Sequence, residues 1–337
     1  MAERLVVLAP NWLGDVVMAQ PALAAIRGAS PDAHLVVAAR ASVAGVLAFV
    51  EGVDEVLALP PGSSVGAQAR LLAGQRCDRA VLLPNSFHAA WMAWRAGIRR
   101  RAGFCGDGRA WLLTERVRRP AGRVRHVEYY LALTTALGFE AGSSVPRLRL
   151  TADARAEADA LLQAEGIEPG APIVVLAPGA AGGPAKQWRP EHAARVIEDL
   201  AARDGVRVVI VGAPADREVA DRVLGPVSGH TRGCVVDLVG RTSLGGLAGV
   251  LARAQVVVAN DSGALHLAAA FGTPVVALFG ATDERVTAPS AADPSRATVL
   301  THTVWCRPCG LRACPIDHAC MKGITPVRVM SAVEAWL

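Results

Sequence analysis

Apolar residues recur along the chain in short unbroken runs bounded by turn residues, the pattern of strands buried on both faces of a parallel sheet. In the first half such runs occupy residues 5–9, 35–38, 55–59 and 79–83, separated by helical stretches at 16–27, 43–49 and 64–74. A helix at 153–165 and a Gly/Pro break, GIEPGAP, follow, and a second alternation then places strands at 173–177, 206–211, 235–238, 256–259 and 275–279. Thr325 and Pro326 open a last helix through residue 337, with Thr as N-cap and Pro at the first helical position. Strands alternating with helices predict an α/β protein with two Rossmann-like domains, each a parallel sheet covered by helices. The expected division is 1–168, 169–324 and a C-terminal helix at 325–337, with no internal sequence repeat.

The pattern concentrates polar chemistry at turns that follow strands. In VVVANDSGALH, residues 256–266, a buried strand runs through a tight turn into a helix. Backbone N–H groups at that helix start point outward with partial positive charge and suit a phosphate. Gly263 permits close backbone approach, Ser262 adds a hydroxyl, and Asp261 and His266 are expected at the same mouth. The competing reading makes Asp261 or Ser262 a helix cap and His266 a satisfied core residue. A second loop, PGAAGGPAK, follows the strand at 173–177 and offers Gly182, Gly183 and Lys186, a lysine able to neutralise a diphosphate. A solvated lysine on a surface loop is the alternative. No G-x-G-x-x-G follows a strand, and the lysine loop lacks G-x-x-x-x-G-K-[ST] spacing, so neither a dinucleotide oxidoreductase nor a P-loop NTPase is supported. Asp216, shortly after the strand at 206–211, is placed to accept hydrogen bonds from ribose hydroxyls, unless it serves only as a cap or surface charge. Asp15 is the only carboxylate in the turn after the first strand and could act as a general base or merely as an N-cap.

Length and charge narrow the class. At 337 residues the chain can bury two cores, and although 52% of it is hydrophobic, Arg40 interrupts the longest apolar stretch before it could span a bilayer. The N-terminus enters its first strand without a signal-peptide pattern, which predicts a cytoplasmic protein. The net charge of +5 favours an anionic partner.

Together, PNWLGDVVMAQPAL, PGAAGGPAKQWRPEH and the stretch around Asp261 resemble the ADP-heptose:lipopolysaccharide heptosyltransferases, the heptosyltransferase II type most closely. The resemblance covers nearly the whole chain. It implies the glycosyltransferase B architecture, two Rossmann-like domains facing a cleft, with the final helix packing back on the first domain. It implies Asp15 as the base, Lys186 as the donor-phosphate lysine, Asp216 as the ribose acid and Thr242 as an adenine contact through its backbone. Asn11 would position Asp15. Ala and Gly stand beside the lysine loop where some of those enzymes carry hydroxyl residues.

Between Arg95 and Arg125 ten arginines (95, 99, 100, 101, 109, 116, 118, 119, 123 and 125) face only Asp107 and Glu115. Arginine forks suit the carboxylates and phosphates of an anionic lipopolysaccharide precursor at the inner-leaflet surface, so acceptor contacts are expected among them. A solvated basic face is the bland alternative. Nucleic acid is disfavoured because no series of stacking aromatics is interleaved with the basic run beyond Trp111 and no recognisable reading module is present. His126 and Glu128 either line the acceptor side or are structural. Cys306, Cys309, Cys314 and Cys320 form C-x2-C-x4-C-x5-C around His318 and could bind zinc, pair, or pack as free thiols, in each case apart from the chemistry. No Asp-x-Asp pair is present in the second half to carry a divalent cation, so neither metal nor cofactor is expected. The resulting expectation is an inverting transferase moving heptose from ADP-heptose to the first inner-core heptose. Heptosyltransferase I or III with another acceptor, and a non-catalytic sugar-nucleotide-binding protein, are the alternatives.

Overall fold

The computed structural model describes residues 3–140 and 142–337. It divides into two units between Arg149 and Leu150. The first contains β1 (Arg4–Leu8), β2 (His34–Arg40), β3 (Glu55–Leu59), β4 (Arg79–Leu82), β5 (Arg100–Phe104) and β6 (Glu115–Val117), side by side as β3-β2-β1-β4-β5-β6. The second contains β7 (Ile173–Ala177), β8 (Arg207–Ile210), β9 (Val235–Asp237), β10 (Val256–Asn260), β11 (Val275–Phe279) and β12 (Ala297–Thr301), ordered β12-β11-β10-β7-β8-β9. All pairings are parallel. Counted from its own first strand, the second sheet has the same strand order as the first. Each is Rossmann-like, and in each the winding reverses at one place, between β1 and β4 or between β7 and β10. Loops leaving the carboxyl ends of such strand pairs form the crevice where open α/β sheets take ligands.

The apolar runs become strands because both faces are covered. Every residue of β7, β10 and β11 is buried, and Val174, Leu176, Val256 and Val258 share one core with Ala193, Val196, Ile197 and Leu200 of the helix Pro190–Ala201. In the first unit Val6, Leu8, Val36 and Leu82 pack with Ala89, Ala90 and Ala93 of the helix Phe87–Arg95.

Several elements depart from the sequence expectation. The single helix expected at 16–27 is two, Leu13–Met18 and Gln20–Ala29, because Pro21 has no N–H to donate to the carbonyl four residues back. The stretch at 43–49 forms a short α-turn, Ala41–Ala44, followed by the 3-10 turn Gly45–Phe49. Strands β5, β6 and β12 were not expected. The first two are arginine-bearing, and β12 is only half-buried, so none reads as an apolar run. The domain division falls ahead of the expected 168/169 because the helix Ala152–Ala164 packs on the helix Leu244–Arg253 of the second unit. A side chain at Gly249 would begin 2.3 Å from the Ala154 carbonyl oxygen, so glycine lets the two backbones close. The last helix, Pro326–Glu334, capped by Thr325 as expected, lies in the second unit, where it packs on the helix Pro190–Ala201 and on β11 and β12. No helix of the described residues is long and apolar enough to cross a membrane.

Candidate functional site

In the second unit the loops after β7 and β10 meet at the point where the winding reverses. The backbone of the β7 loop is clamped by Asn260 at the end of β10. Its amide donates to the carbonyls of Pro178 (2.7 Å) and Gly179 (3.4 Å), while its oxygen accepts from the Trp188 N–H (3.0 Å). Sequence reasoning gave Asn260 no role, although an asparagine at a buried strand end must satisfy both halves of its amide. Lys186 reaches from the far end of the same loop to Asp261, Nζ to Oδ2 at 2.7 Å, its stem lying across Gly182.

Asp261 is 6% exposed, and the Nε2 of His266, itself buried, lies 3.6 Å from its other oxygen. Burial alone would raise the Asp261 carboxyl. The His266 imidazole and the Lys186 ammonium override it and hold the group well below the usual carboxylate range. This corrects two expectations. His266 lies behind Asp261 instead of at the mouth, and Asp261 turns its oxygens to Lys186 and His266, so its first task is to hold the lysine. Ser262 occupies the N-cap position of the helix Gly263–Ala270 without making a cap bond, and its Oγ is shielded from solvent with no hydrogen-bond partner among the described residues. Thr282, three residues beyond β11, carries a second orphaned hydroxyl, which the sequence did not flag. An unfilled hydroxyl at a helix start, next in sequence to the carboxylate that holds a lysine, has the chemistry that an anion would satisfy.

Asp216 ends the 3-10 turn Pro214–Asp216, where its Oδ2 accepts from the Ala213 N–H at 2.8 Å. Its carboxylate also lies against the lysine loop, since a side chain at Gly179 would begin 2.2 Å from Asp216 Cγ. The cap and the approach to the lysine loop therefore coexist, and Glu218 is exposed beside it. Thr242 is half-buried next to Gly240, whose N–H donates to Gly212 on the Asp216 loop at 2.9 Å.

The cysteine segment presses on this loop. Arg312 accepts from the Ala185 N–H at 3.0 Å, and His318 Nε2 donates to the Ala185 carbonyl at 2.8 Å. Gly183 has φ +116°, and a side chain there would begin 2.4 Å from the Arg312 carbonyl oxygen, so only glycine fits. All seven cysteines are free, and no group of three or more His, Cys, Asp or Glu is placed to hold a metal among the described residues. Burial pushes the Cys320 thiol up, and Cys306, Cys314 and Cys309 add to the shift. The segment, expected to stand apart from the chemistry, is thus a wall of the lysine loop. Replacing His318 by Ala should weaken ADP binding about three- to tenfold, the worth of one net hydrogen bond, as read by calorimetry. Unchanged affinity would show that the loop holds its shape without it.

In the first unit Asp15 is the third residue of the helix Leu13–Met18, and Trp12 holds the N-cap position, so Asp15 is not that cap. Its Oδ1 lies 3.5 Å from His126 Nδ1, on the first residue of the helix His126–Ala136, and Glu128 points to solvent. Tyr130, on the same helix, is buried. That burial, then the Asp15 charge, keeps its hydroxyl protonated. Asn11 makes no hydrogen bond to Asp15 among those observed. It lines instead a cavity of about 570 Å³ at the carboxyl ends of β1 to β4, with Arg40, Ser42, Gln68 and His88.

The arginines of the basic run separate. Arg109 is fully buried and donates to the carbonyls of Phe104, Pro84 and Ser86, so it is structural and not an acceptor contact. Arg101 is turned to the carbonyls of Leu112 and Ile98, Arg100 pairs with Glu115 and Glu3, and Arg119 with Asp107. Arg95, Arg99, Arg116 and Arg118 are exposed, and none is ion-paired with a carboxylate among the described residues.

Residues 65–320 match the model of glycosyltransferase family 9 (heptosyltransferase). The chain belongs to this family. It is 31% identical over 297 residues, 85% of each chain, to lipopolysaccharide heptosyltransferase 2 of Salmonella typhimurium. It is 28% identical over 264 residues, 74% of this chain and 70% of the other, to lipopolysaccharide heptosyltransferase 1 of Pseudomonas aeruginosa. The structure of E. coli ADP-heptose LPS heptosyltransferase II superposes with a TM-score of 0.84 at 28% identity, covering 99% of this chain and 98% of that one. The family 9 enzyme is therefore a glycosyltransferase, with the paired Rossmann-like units of the glycosyltransferase B class.

Proposed function

We propose that this family 9 enzyme transfers L-glycero-D-manno-heptose from ADP-heptose to the first heptose of the lipopolysaccharide inner core, as a heptosyltransferase II. The heptosyltransferase 2 similarity supports this acceptor, since it extends over 85% of the chain, against 74% and 29% for the heptosyltransferase 1 similarities. The observation that carries the donor half is the Lys186–Asp261 pair at 2.7 Å beside the orphaned Ser262 hydroxyl and the start of the helix Gly263–Ala270. A sugar nucleotide already has a good leaving group, so the protein must stabilise the departing diphosphate charge and take a proton from the incoming hydroxyl. Lys186 and the helix start do the first without a metal ion. Asp216 takes the ribose hydroxyls and Thr242 the adenine. Asp15 does the second, and attack opposite the diphosphate inverts the anomeric carbon. The acceptor is an anionic precursor at the inner face of the inner membrane, and nucleic acid has no part in the reaction.

ADP release from ADP-heptose that depends on a heptosylated acceptor, with mass spectrometry of the product, tests the reading. ADP binding without turnover would leave only a sugar-nucleotide-binding protein. Activity should also survive EDTA. Loss on chelation that magnesium restores would overturn the metal-free mechanism.

A further inference from the structure

The helix Phe87–Arg95 is apolar on two sides. Ala89, Ala90, Met92 and Ala93 face the core of the first unit. Phe87, Trp91 and Trp94, spaced i, i+4 and i+7, share the opposite face. There they meet Trp111 of the 3-10 turn Ala110–Leu112. Ring centroids lie 5.9 Å apart for Phe87 and Trp91, 4.8 Å for Trp91 and Trp94, and 6.2 Å from Trp111 to both Phe87 and Trp91. A helix that is apolar all round is ordinarily covered. This one is not. Phe87 is 42% exposed, Trp94 44% and Trp111 59%. Sequence reading named Trp111 alone as a stacking aromatic of the basic run, and folding brings Phe87 and Trp91 to it, with Trp94 stacked on Trp91.

The charge around the ridge has one sign. Arg95 ends the same helix, Arg99 follows it, and Arg116 sits just past the Trp111 turn, donating to the Leu113 carbonyl. The two acids of this stretch are already engaged, Glu115 by Arg79 and Arg100 and Asp107 by Arg119. We propose that the Phe87–Trp91–Trp94–Trp111 ridge and its exposed arginines dock the enzyme on an anionic lipid bilayer, an inference that rests on the reading of the acceptor as lipid-linked.

Indole rings carry an apolar body and one N–H, the chemistry of the headgroup boundary, and arginines beside them are drawn to anionic headgroups. A second copy of this chain fits worse, because a two-fold contact through the ridge would set arginines against arginines. Single-stranded nucleic acid needs open ring faces, whereas Phe87, Trp91 and Trp94 stack on one another with interplanar angles of 19° and 26°.

The test is cosedimentation of the full chain with phosphatidylcholine vesicles, with and without about a third phosphatidylglycerol. The wild type should bind the anionic vesicles and hardly the neutral ones. The double variant Trp94→Ala/Trp111→Ala should bind them about tenfold or more weakly. It should keep normal transfer to a water-soluble heptosylated acceptor, yet lose rate on the same acceptor anchored in vesicles. Binding indifferent to phosphatidylglycerol overturns the proposal even if the variant misfolds, because that arm uses the wild type alone. Equal vesicle binding by the variant also overturns it, as does a wild-type dimer that the variant dissociates, or binding of single-stranded RNA that the variant abolishes. Failure of the transferase reading shows separately, as absence of transfer to the soluble acceptor.

Discussion

Asp15→Asn should lower turnover by about 100- to 10,000-fold, the usual worth of a positioned general base, while ADP-heptose affinity hardly changes. The two effects separate because the residues proposed to hold the donor lie in the second unit and Asp15 in the first. Asparagine keeps the size of the side chain and the first turn of Leu13–Met18, so the loss reports the missing proton acceptor and not a collapsed helix. His126 Nδ1 lies 3.5 Å from the carboxylate. Single-turnover kinetics with saturating donor would measure the step. A variant with near-normal turnover would remove Asp15 from the chemistry.

The second large effect is expected at Lys186. Lys186→Ala should weaken ADP binding by about 1.5 to 3 kcal/mol, the scale of a charge-assisted hydrogen bond, or roughly ten- to 150-fold. The single variant also leaves Asp261 buried without its cation, so it should melt earlier than the wild type. Lys186→Ala/Asp261→Ala separates the two consequences, since removing both charges should recover thermal stability without recovering affinity. Calorimetry with ADP and a melting curve for each variant would decide. Unchanged ADP affinity in the single variant would take Lys186 out of the donor site.

The sequence was legible where chemistry rides on a strand end. Lys186, Ser262 and Gly263 follow apolar runs so uniform that β7 and β10 could be placed to within a residue, and the loops after adjacent carboxyl ends had to meet. Direction was not legible. Nothing local in NDSG tells that Asp261 turns inward to Lys186 and His266, because that depends on a lysine 75 positions earlier. Arg109 looked like its neighbours in a basic run, yet the fold buries it among carbonyls contributed by Pro84 and Ser86, 25 and 23 residues away. The aromatic ridge was hidden for the same reason. Phe87, Trp91 and Trp94 lie in a stretch to which sequence reading assigned no element, and only the fold shows that the other face of their helix carries the packing. The domain division moved because helix 153–165 was assigned by its position before a Gly/Pro break, whereas its partner is a glycine-lined helix about 90 residues downstream.

The lysine loop comes with an internal competitor. Lys186 already holds a carboxylate at 2.7 Å, so on the proposed donor reading an incoming diphosphate has to draw the ammonium away from Asp261 or share it. Part of the attraction is thereby returned to the protein, and the nucleotide is held less tightly than an unengaged lysine would hold it. After transfer the same exchange runs in reverse. On that reading Asp261 recaptures the ammonium as ADP loosens, so the vacated site is not left with an unpaired charge.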